Sequence, residues 1–243
     1  EFEEQVVSNF IREYASGRTP IPCARCNSDL KFATLAERAA GFGADAVATG
    51  HYARTERDPR TGKVLLKRGA DRAKDQAYFL FSLTQDQLSR AMFPLGSTSK
   101  DVVREYARRY NLPVAEKPDS QEICFVPDGD YRTLLREHGL ARGEGEVVDE
   151  SGAVVGTHAG SEGFTVGQRK GLPGSGVAAR YVSSVDPVTN RITIAPRAAL
   201  DARSIPLVDA ATPAGPMASG AKVHGLARIR HRGALAEGTV LGL

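Results

Sequence analysis

Gly17-Arg18-Thr19-Pro20-Ile21-Pro22-Cys23-Ala24-Arg25-Cys26-Asn27-Ser28-Asp29-Leu30-Lys31-Phe32 is the stretch on which the reading of this 243-residue chain turns. Two prolines hold its first part extended and rigid. Two cysteines follow, with two residues between them. Asn27 stands where a helix N-cap belongs, ahead of the apolar positions Leu30, Phe32, Leu35, Ala36 and Ala39. The spacing therefore predicts a helix opening at Asn27. Cys26 would sit at its positive end, where a thiolate is stabilised.

Outward from this stretch, the bulk properties narrow the class. Hydrophobic residues make up 41% and charged residues 25%, ordinary values for a water-soluble fold. The net charge is +3, compatible with a nucleic-acid partner without requiring one. No apolar run reaches the roughly 18 residues of a membrane span, and the acidic, amphipathic start is unlike a signal peptide. Three cysteines are too few for a secreted disulfide scaffold, so a cytoplasmic protein with reduced thiols is expected. The chain starts within a helical pattern, without Met, and stops at Gly-Thr-Val-Leu-Gly-Leu, a strand-like run. It reads as a fragment at both ends.

Residues 2–16 form an amphipathic helix pattern, with Phe2, Val6, Phe10 and Tyr14 at i+4 and Gly17 as its C′ residue. A second helix reaches about Ala40. Asp45–Thr49 reads as a short buried strand leading into Gly50-His51-Tyr52, and ligands collect at such carboxyl ends in open α/β sheets. Val64-Leu65-Leu66 returns as a hairpin after the turn at 58–62. Thr84 and Gln87 form a capping box, and Thr98 with Asp101 predicts another cap. A helix then runs from Val102 to about Asn111. Residues 119–127 read as a polar turn feeding a strand, with Ile123 and Phe125 on one face and Cys124 on the other with Glu122 and Val126. Asp130 caps a helix over Tyr131–Glu137. From about residue 140 the helical period disappears, and strands at 146–148, 153–155, 180–182 and 191–194 alternate with Gly and Asn turns.

Several residues could carry chemistry. Cys23 and Cys26 allow half a zinc site, a redox pair, a sulfur-handling site or two incidental thiols. Structural zinc needs four ligands, and no second C-x-x-C or H-x₃₋₅-H occurs. His51 at a strand end is either a hydrogen-bonded structural residue or a functional one. Lys74-Asp75-Gln76 reads as a charged helix start. Arg228-Ile229-Arg230-His231-Arg232 gathers positive groups in one predicted strand, as a solvated face or a phosphate contact. No G-x-x-x-x-G-K-[ST] phosphate loop occurs.

Taken in order, six motifs resemble one family. They are Gly17-Arg18-Thr19-Pro20-x-Pro22 with Cys26-Asn27 and Lys31-Phe32; Ala48-Thr49-Gly50-His51-Tyr52; Lys74-Asp75-Gln76-x-Tyr78-Phe79-Leu80; Phe93-Pro94-Leu95-Gly96; Lys117-x-Asp119-Ser120-x-x-Ile123-Cys124-Phe125; and Thr165-x-Gly167-Gln168-Arg169-Lys170-Gly171-Leu172. The chain resembles the tRNA-specific 2-thiouridylases, which replace O2 of the wobble uridine (U34) with sulfur. The resemblance implies an α/β fold. An incomplete Rossmann-like, adenine nucleotide α-hydrolase type parallel-sheet domain would cover residues 1–127. A small β-rich central domain would follow at 128–197, then an incomplete β-barrel at 198–243.

The resemblance also implies a chemistry. ATP, with Mg2+, adenylates the uridine O2; a persulfide on Cys124 supplies the sulfur; Cys26 is the second catalytic thiol and closes a Cys26–Cys124 disulfide. Gly50 matches a backbone ATP contact. Ile21, Pro22 and Cys23 match the segment at the target base, and His51, Lys74, Asp75, Gln76, Arg230 and His231 match tRNA contacts. The implied partners are the tRNA anticodon stem-loop and a persulfide sulfur-donor protein, with no DNA and no membrane.

Two departures stand out. The family's N-terminal Ser-Gly-Gly-x-Asp-Ser loop is absent, so this stretch alone is not expected to use ATP productively. Cys23 stands where many members carry Asp, which opens an alternative in which Cys23, Cys26 and Cys124 hold a [4Fe–4S] cluster. The rival readings are an argininosuccinate synthase-like ligase, with no use for the thiols, and a non-catalytic, zinc-stapled RNA-binding module.

Overall fold

The structure is a computed structural model that describes residues 1–118, 123–126, 129–173, 179–208, 210–212, 215–231 and 233–242. The predicted polar turn at 119–122, Pro127 and Arg232 lie outside the described residues.

The first helix opens with wide i→i+5 turns over Glu3–Val7 and continues as α1, Ser8–Ala15. Val6, Phe10 and Tyr14 are buried, as their i+4 spacing predicts. Gly17 ends it with φ +71°. Its N–H donates to Tyr14 O, and that of Arg18 to Glu13 O, a Schellman closure that only a residue free of a β-carbon adopts without strain.

The next helical run starts earlier than the sequence suggests. It comprises α2, Pro22–Arg25, wide turns over Cys26–Thr34, and α3, Leu35–Gly41. Pro22, not Asn27, opens it: proline's locked φ suits the first helical position and its missing N–H is no loss there. Asn27 is 1% exposed and lies inside the helix. Its Nδ2 donates to Phe79 O at 2.9 Å and its Oδ1 accepts from Lys31 Nζ at 3.1 Å. A tertiary partner has claimed the side chain that would have capped.

Strand β1, Val47–Ala48, is only partly covered, against the expectation of a buried strand. It pairs in parallel with β4, Ala91–Met92. Between them, β2, Ala53–Arg57, and β3, Val64–Arg68, form the expected hairpin. A short 3₁₀ turn follows at Ala77–Leu80, then α4, Gln85–Ser89, with the predicted Thr84/Gln87 capping box complete. Helix α5, Lys100–Arg109, is capped by Ser99, whose side chain accepts from Val102 N. The cap lies one residue beyond the predicted Thr98. Asn111 closes the helix at φ +53°. The apolar stripe of α5 is uncovered: Val102 is 39%, Tyr106 51% and Tyr110 66% exposed.

Cys124 is in a turn, not a strand. Val126 N–H donates to Ile123 O at 2.9 Å, closing the loop on itself. Ile123 and Phe125 still face inward, but Val126 is 4% exposed instead of sharing the outer face with Cys124. Helix α6, Tyr131–Glu137, has the predicted Asp130 cap. Strands β5, Gly145–Val148; β6, Val154–His158; β7, Tyr181–Asp186; and β8, Arg191–Ala195, match the four predicted strands. They form one sheet in the order β6-β5-β8-β7, with β5 and β8 parallel. Beyond it lie β9, Ala211–Thr212, with β10, Gly215–Pro216, and the hairpin of β11, Lys222–Ala227, with β12, Ala236–Leu241. Among the described residues no sheet closes into a barrel.

The chain divides into two compact units. One comprises residues 1–22 and 119–206; the other, 23–118 and 207–243. The first has two cores. Phe10, Tyr14 and Leu135 gather Ile123, Phe125 and Tyr131, while Val147, Leu172, Val182, Ile192 and Ile194 pack on the four-stranded sheet. The Tyr14 and Tyr131 rings stack at 4.7 Å. In the second unit the core is Phe32, Ala53, Val64, Leu80, Leu83, Leu88 and Ala91. Fully burying a side chain such as Leu80 stabilises it by about 1.5–3 kcal/mol.

Candidate functional site

In the second unit, the carboxyl end of β1 runs into Thr49-Gly50-His51. With Lys31 and Gln76 these three line a shallow, open depression. Gly50 is exposed, and a β-carbon there would meet only Leu95 Cδ1, at 3.7 Å. The main chain at this strand end is thus open to close approach, as the reading of Gly50 as a backbone nucleotide contact requires. The chain has no Gly-rich phosphate loop. The depression offers open main chain at Gly50 and the side chains of Lys31, Thr49, His51 and Gln76. Among the described residues no group of three or more His, Cys, Asp and Glu side chains could hold a metal ion, so no step is derived through Mg2+ or an iron–sulfur cluster.

His51 lies between Phe32 and Phe93, with ring centroids at 6.3 and 6.1 Å, and its Nδ1 is 2.8 Å from the Thr49 hydroxyl. Burial first, and the Lys31 charge second, lower its pKa from 6.5 to about 4. The ring is therefore neutral at physiological pH. In the unfolded chain it titrates near 6.5, so protons favour unfolding between about pH 6.5 and 4. Stability is complete above that window and declines as pH falls through it. The expected result is a His51 ring resonance that stays flat from pH 8 to 5, and a shallower acid limb in His51→Asn. A midpoint near 6.5 in the folded protein would overturn it.

The Lys74-Asp75-Gln76 loop is built around Asp75. Its carboxylate accepts from Arg68 Nε and Gly69 N, both at 2.9 Å, and from Ala77 N at 3.2 Å. Burial pushes this carboxyl up, but Arg68 and the two amides outweigh it and hold it below the usual carboxylate range. Gln76 pairs with the Tyr52 backbone in both directions: Oε1 accepts from Tyr52 N at 3.0 Å, and Gln76 N donates to Tyr52 O at 2.9 Å. Asp75 and Gln76 thus organise the loop that carries Lys74.

Arg228–His231 proves to be a bend between β11 and β12, not a strand. Gly233 N–H donates back to Arg230 O at 2.9 Å, turning the chain. Tyr78 Oη donates to Ile229 O at 3.0 Å, and the His231 ring lies 4.6 Å from Phe79. Burial raises the Tyr78 pKa, while the Arg230 and Arg228 charges pull against it. The loop is therefore seated on the aromatic segment directly after Lys74–Gln76. Sequence reasoning missed Arg68 as the clamp on Asp75, Thr49 beside His51, and Tyr78 and Phe79 as the seat of the basic loop. The spacing Lys74-Asp75-Gln76-x-Tyr78-Phe79 carried the last signal, two aromatics next to a charged turn.

Cys23 is exposed and Cys26 half-buried, on the first turns of the run from Pro22. The place nearest the amide end belongs to Cys23, not to Cys26 as predicted. Ile21, Pro22 and Cys124 belong to the other unit. Ile21 is 36% exposed, Pro22 is buried, and Cys124 is exposed on its turn.

In that first unit, Thr165-x-Gly167-Gln168 folds as a tight loop. Gln168 Oε1 accepts from Thr165 N at 3.2 Å, its Nε2 donates to Lys170 O at 3.0 Å, and Gly167 takes φ +85°. Leu172 is anchored in the core, and Arg169 and Lys170 are left exposed.

Comparison with known proteins matches this architecture. Residues 1–128 match the family profile described as the tRNA methyl transferase HUP domain, and 132–196 its PRC-barrel domain. A protein of Acidobacterium capsulatum named tRNA-specific 2-thiouridylase MnmA is 53% identical over 199 residues, 79% of this chain and 53% of the relative. One of Geotalea uraniireducens with the same name is 51% identical over 201 residues, 82% of this chain and 53% of its own length. One of Rhodococcus opacus is 47% identical over 241 residues, 97% of this chain and 64% of its own length. The chain thus spans about half the length of the first two relatives. On both profiles, with these relatives beside them, the chain belongs to the tRNA methyl transferase HUP and PRC-barrel family, the family of the tRNA-specific 2-thiouridylases.

Proposed function

We propose that the protein to which this chain belongs is a cytoplasmic tRNA-uridine 2-sulfurtransferase, making 2-thiouridine at wobble position U34. One observation carries the reading. In one compact unit, the basic loop Arg228–His231 is seated on Tyr78 and Phe79, next to the Asp75-braced Lys74 loop. The same unit holds the Lys31–Thr49–Gly50–His51–Gln76 depression. Positive charge beside aromatic rings and an open strand end suits a splayed-out RNA base and its phosphates.

In this reading, bound ATP would supply one thing: activation of the uridine O2 as an AMP ester, a competent leaving group, with pyrophosphate released. The chain's own groups do the rest. Gly50 offers main chain to the nucleotide, and Ile21, Pro22 and Cys23 border the target base. Neutral His51, with Nδ1 at the Thr49 hydroxyl, turns its other ring nitrogen to the tRNA. Lys74, Arg230 and His231 grip the tRNA, with Asp75 and Gln76 setting the loop from which Lys74 reaches. The outer sulfur of a persulfide on Cys124, loaded by a sulfur-donor protein, attacks C2; the C2–O bond breaks and AMP leaves, so that Cys124 is joined to the base through a disulfide-linked sulfur. Cys26 thiolate then attacks the Cys124 sulfur, forming a Cys26–Cys124 disulfide and releasing the thiocarbonyl sulfur to the base. Residues 1–127, 128–197 and 198–243 serve as the nucleotide-binding, central and C-terminal domains.

The test is to incubate the complete protein with tRNA, ATP and a persulfide donor and to measure 2-thiouridine in the product. For the grip, Arg230→Ala is expected to weaken tRNA binding by about tenfold near 0.1 M salt. The slope of log K against log salt should fall by about one. An unchanged slope would remove Arg230 from the tRNA contact.

A further inference from the structure

The helical run from Pro22 places two thiols one turn apart. Cys23 and Cys26 stand at i and i+3 on one helical face, Cys23 exposed and Cys26 half-buried. Side chains so spaced have β-carbons roughly 5–6 Å apart. A disulfide needs about 3.5–4.5 Å. The difference is an ångström or two, and Cys23 lies in the first turn. Amides there have no intrahelical acceptors, so tightening that turn breaks no interior helical hydrogen bond.

The flanking side chains have partners of their own. Arg25, between the two cysteines in sequence, is held by Asp29 at 3.1 Å, and Asn27 is turned inward to Phe79 O. Ala24, also between them, is buried and fixes which way the turn faces. The pair thus sits on an anchored helix with the more exposed sulfur first, the arrangement of a dithiol that an external disulfide reaches at one sulfur and the second sulfur resolves.

We propose that Cys23 and Cys26 form a reversible dithiol–disulfide couple of their own, closed by small-molecule disulfides such as oxidised glutathione. The step balances. Cys23 thiolate attacks glutathione disulfide, forming a mixed disulfide and releasing one glutathione thiolate. Cys26 thiolate then attacks the Cys23 sulfur, forming the Cys23–Cys26 bond and releasing the second glutathione. Two cysteine thiols are oxidised, one glutathione disulfide is reduced, and the two cysteine protons pass to the two glutathione thiolates released. The couple stands on helix geometry alone and does not require the sulfur-transfer reading. Where that reading holds, closure withdraws Cys26 and switches transfer off until a thiol reopens the bond.

The experiment uses Cys124→Ser, which leaves only this pair. The protein is equilibrated in glutathione buffers from fully reducing to fully oxidising, acid-quenched, alkylated and digested with trypsin. Cleavage after Arg25 separates the two cysteines, so a bridge leaves peptides 19–25 and 26–31 joined. The expected product is 2 Da lighter, carries no glutathione and is reversed by reduced glutathione. Adding Cys26→Ser should leave one stable glutathione adduct on Cys23. Two adducts without a bridge, or thiols reduced throughout the range, would overturn the couple. So would a zinc ion retained by Cys124→Ser and lost with Cys23→Ser. The same digest of the unsubstituted chain gives the answer if Cys124→Ser misfolds. A bridged 19–25/26–31 pair there supports the couple, and its absence on full oxidation overturns it. Failure of sulfur transfer is read separately, from 2-thiouridine.

Discussion

Cys124→Ser and Cys26→Ser in the complete protein should each lower 2-thiouridine formation by ~10³-fold or more. Both variants should keep tRNA affinity within about twofold. The first half of this result follows from chemistry. A serine hydroxyl carries no sulfur to transfer, and it neither forms nor resolves a disulfide. The second half follows from structure. Cys124 is exposed on a turn whose shape comes from Ile123 and Phe125 inserted beside Phe10 and Leu135 and from the Val126–Ile123 hydrogen bond. Replacing an exposed Sγ with Oγ touches none of these, so stability should hold within about 0.5 kcal/mol. The measurement is product analysis of tRNA beside a binding isotherm for each variant. 2-Thiouridine formation retained by both variants would remove the two thiols from the transfer route. Wild-type tRNA binding with no 2-thiouridine from any form, together with tightly held zinc, would favour a binding module.

Gly96→Ala is expected to destabilise the second unit by about 3 kcal/mol, although it adds one methyl group. Gly96 lies against strand β2, where a β-carbon would sit 2.7 Å from the Ala53 carbonyl carbon and press directly on its oxygen. The obstacle is backbone and has no rotamer to retreat to. Ala53 is fully buried in the core with Leu80 and Val64, so the strand has no room to yield. Gly96 cannot yield either, because its N–H is bonded to Phe93 O and its carbonyl to Ala70 N. Chemical denaturation should show a lower midpoint. Gly62→Ala is a useful contrast: no neighbouring atom stands within 4 Å, and the penalty there comes only from its φ of +70°. Equal stability of Gly96→Ala and the parent would show that β2 and the 93–96 turn are not packed as described.

Local rules read this chain well wherever the partners are near in sequence. The Thr84/Gln87 capping box, the Gly17 closure, the Asp130 cap and all four strands of the sheet are set by residues within a few positions of one another. The failures have distant causes. Asn27 looks like a cap because nothing local shows that the Phe79 carbonyl, far along the chain, will take its side chain. Cys124 alternates with apolar neighbours as a strand residue does, but a turn satisfies the same alternation, and burial of Val126 distinguishes the two. Arg228–His231 sets one branched apolar residue, Ile229, between polar ones, as a strand does. The turn there depends on Tyr78 and Phe79 receiving it. The candidate site follows the same division. The motif positions were legible one by one, and their assembly depends on Arg68, Thr49 and Tyr78, to which no motif assigns a task.

The uncovered stripe of α5 has a consequence for how the chain behaves as a solute. Val102, Tyr106 and Tyr110 present aromatic and branched apolar surface to water, flanked by Arg108 and Arg109. Molecules that meet stripe to stripe attract, and only their mutual charge keeps them apart. With a net charge of +3 at neutral pH and an isoelectric point near 8.8, that repulsion fades as the solution is made alkaline. Light scattering on the chain by itself should therefore give a second virial coefficient that turns negative towards pH 8.8 and recovers towards neutral pH, where the net positive charge restores the repulsion.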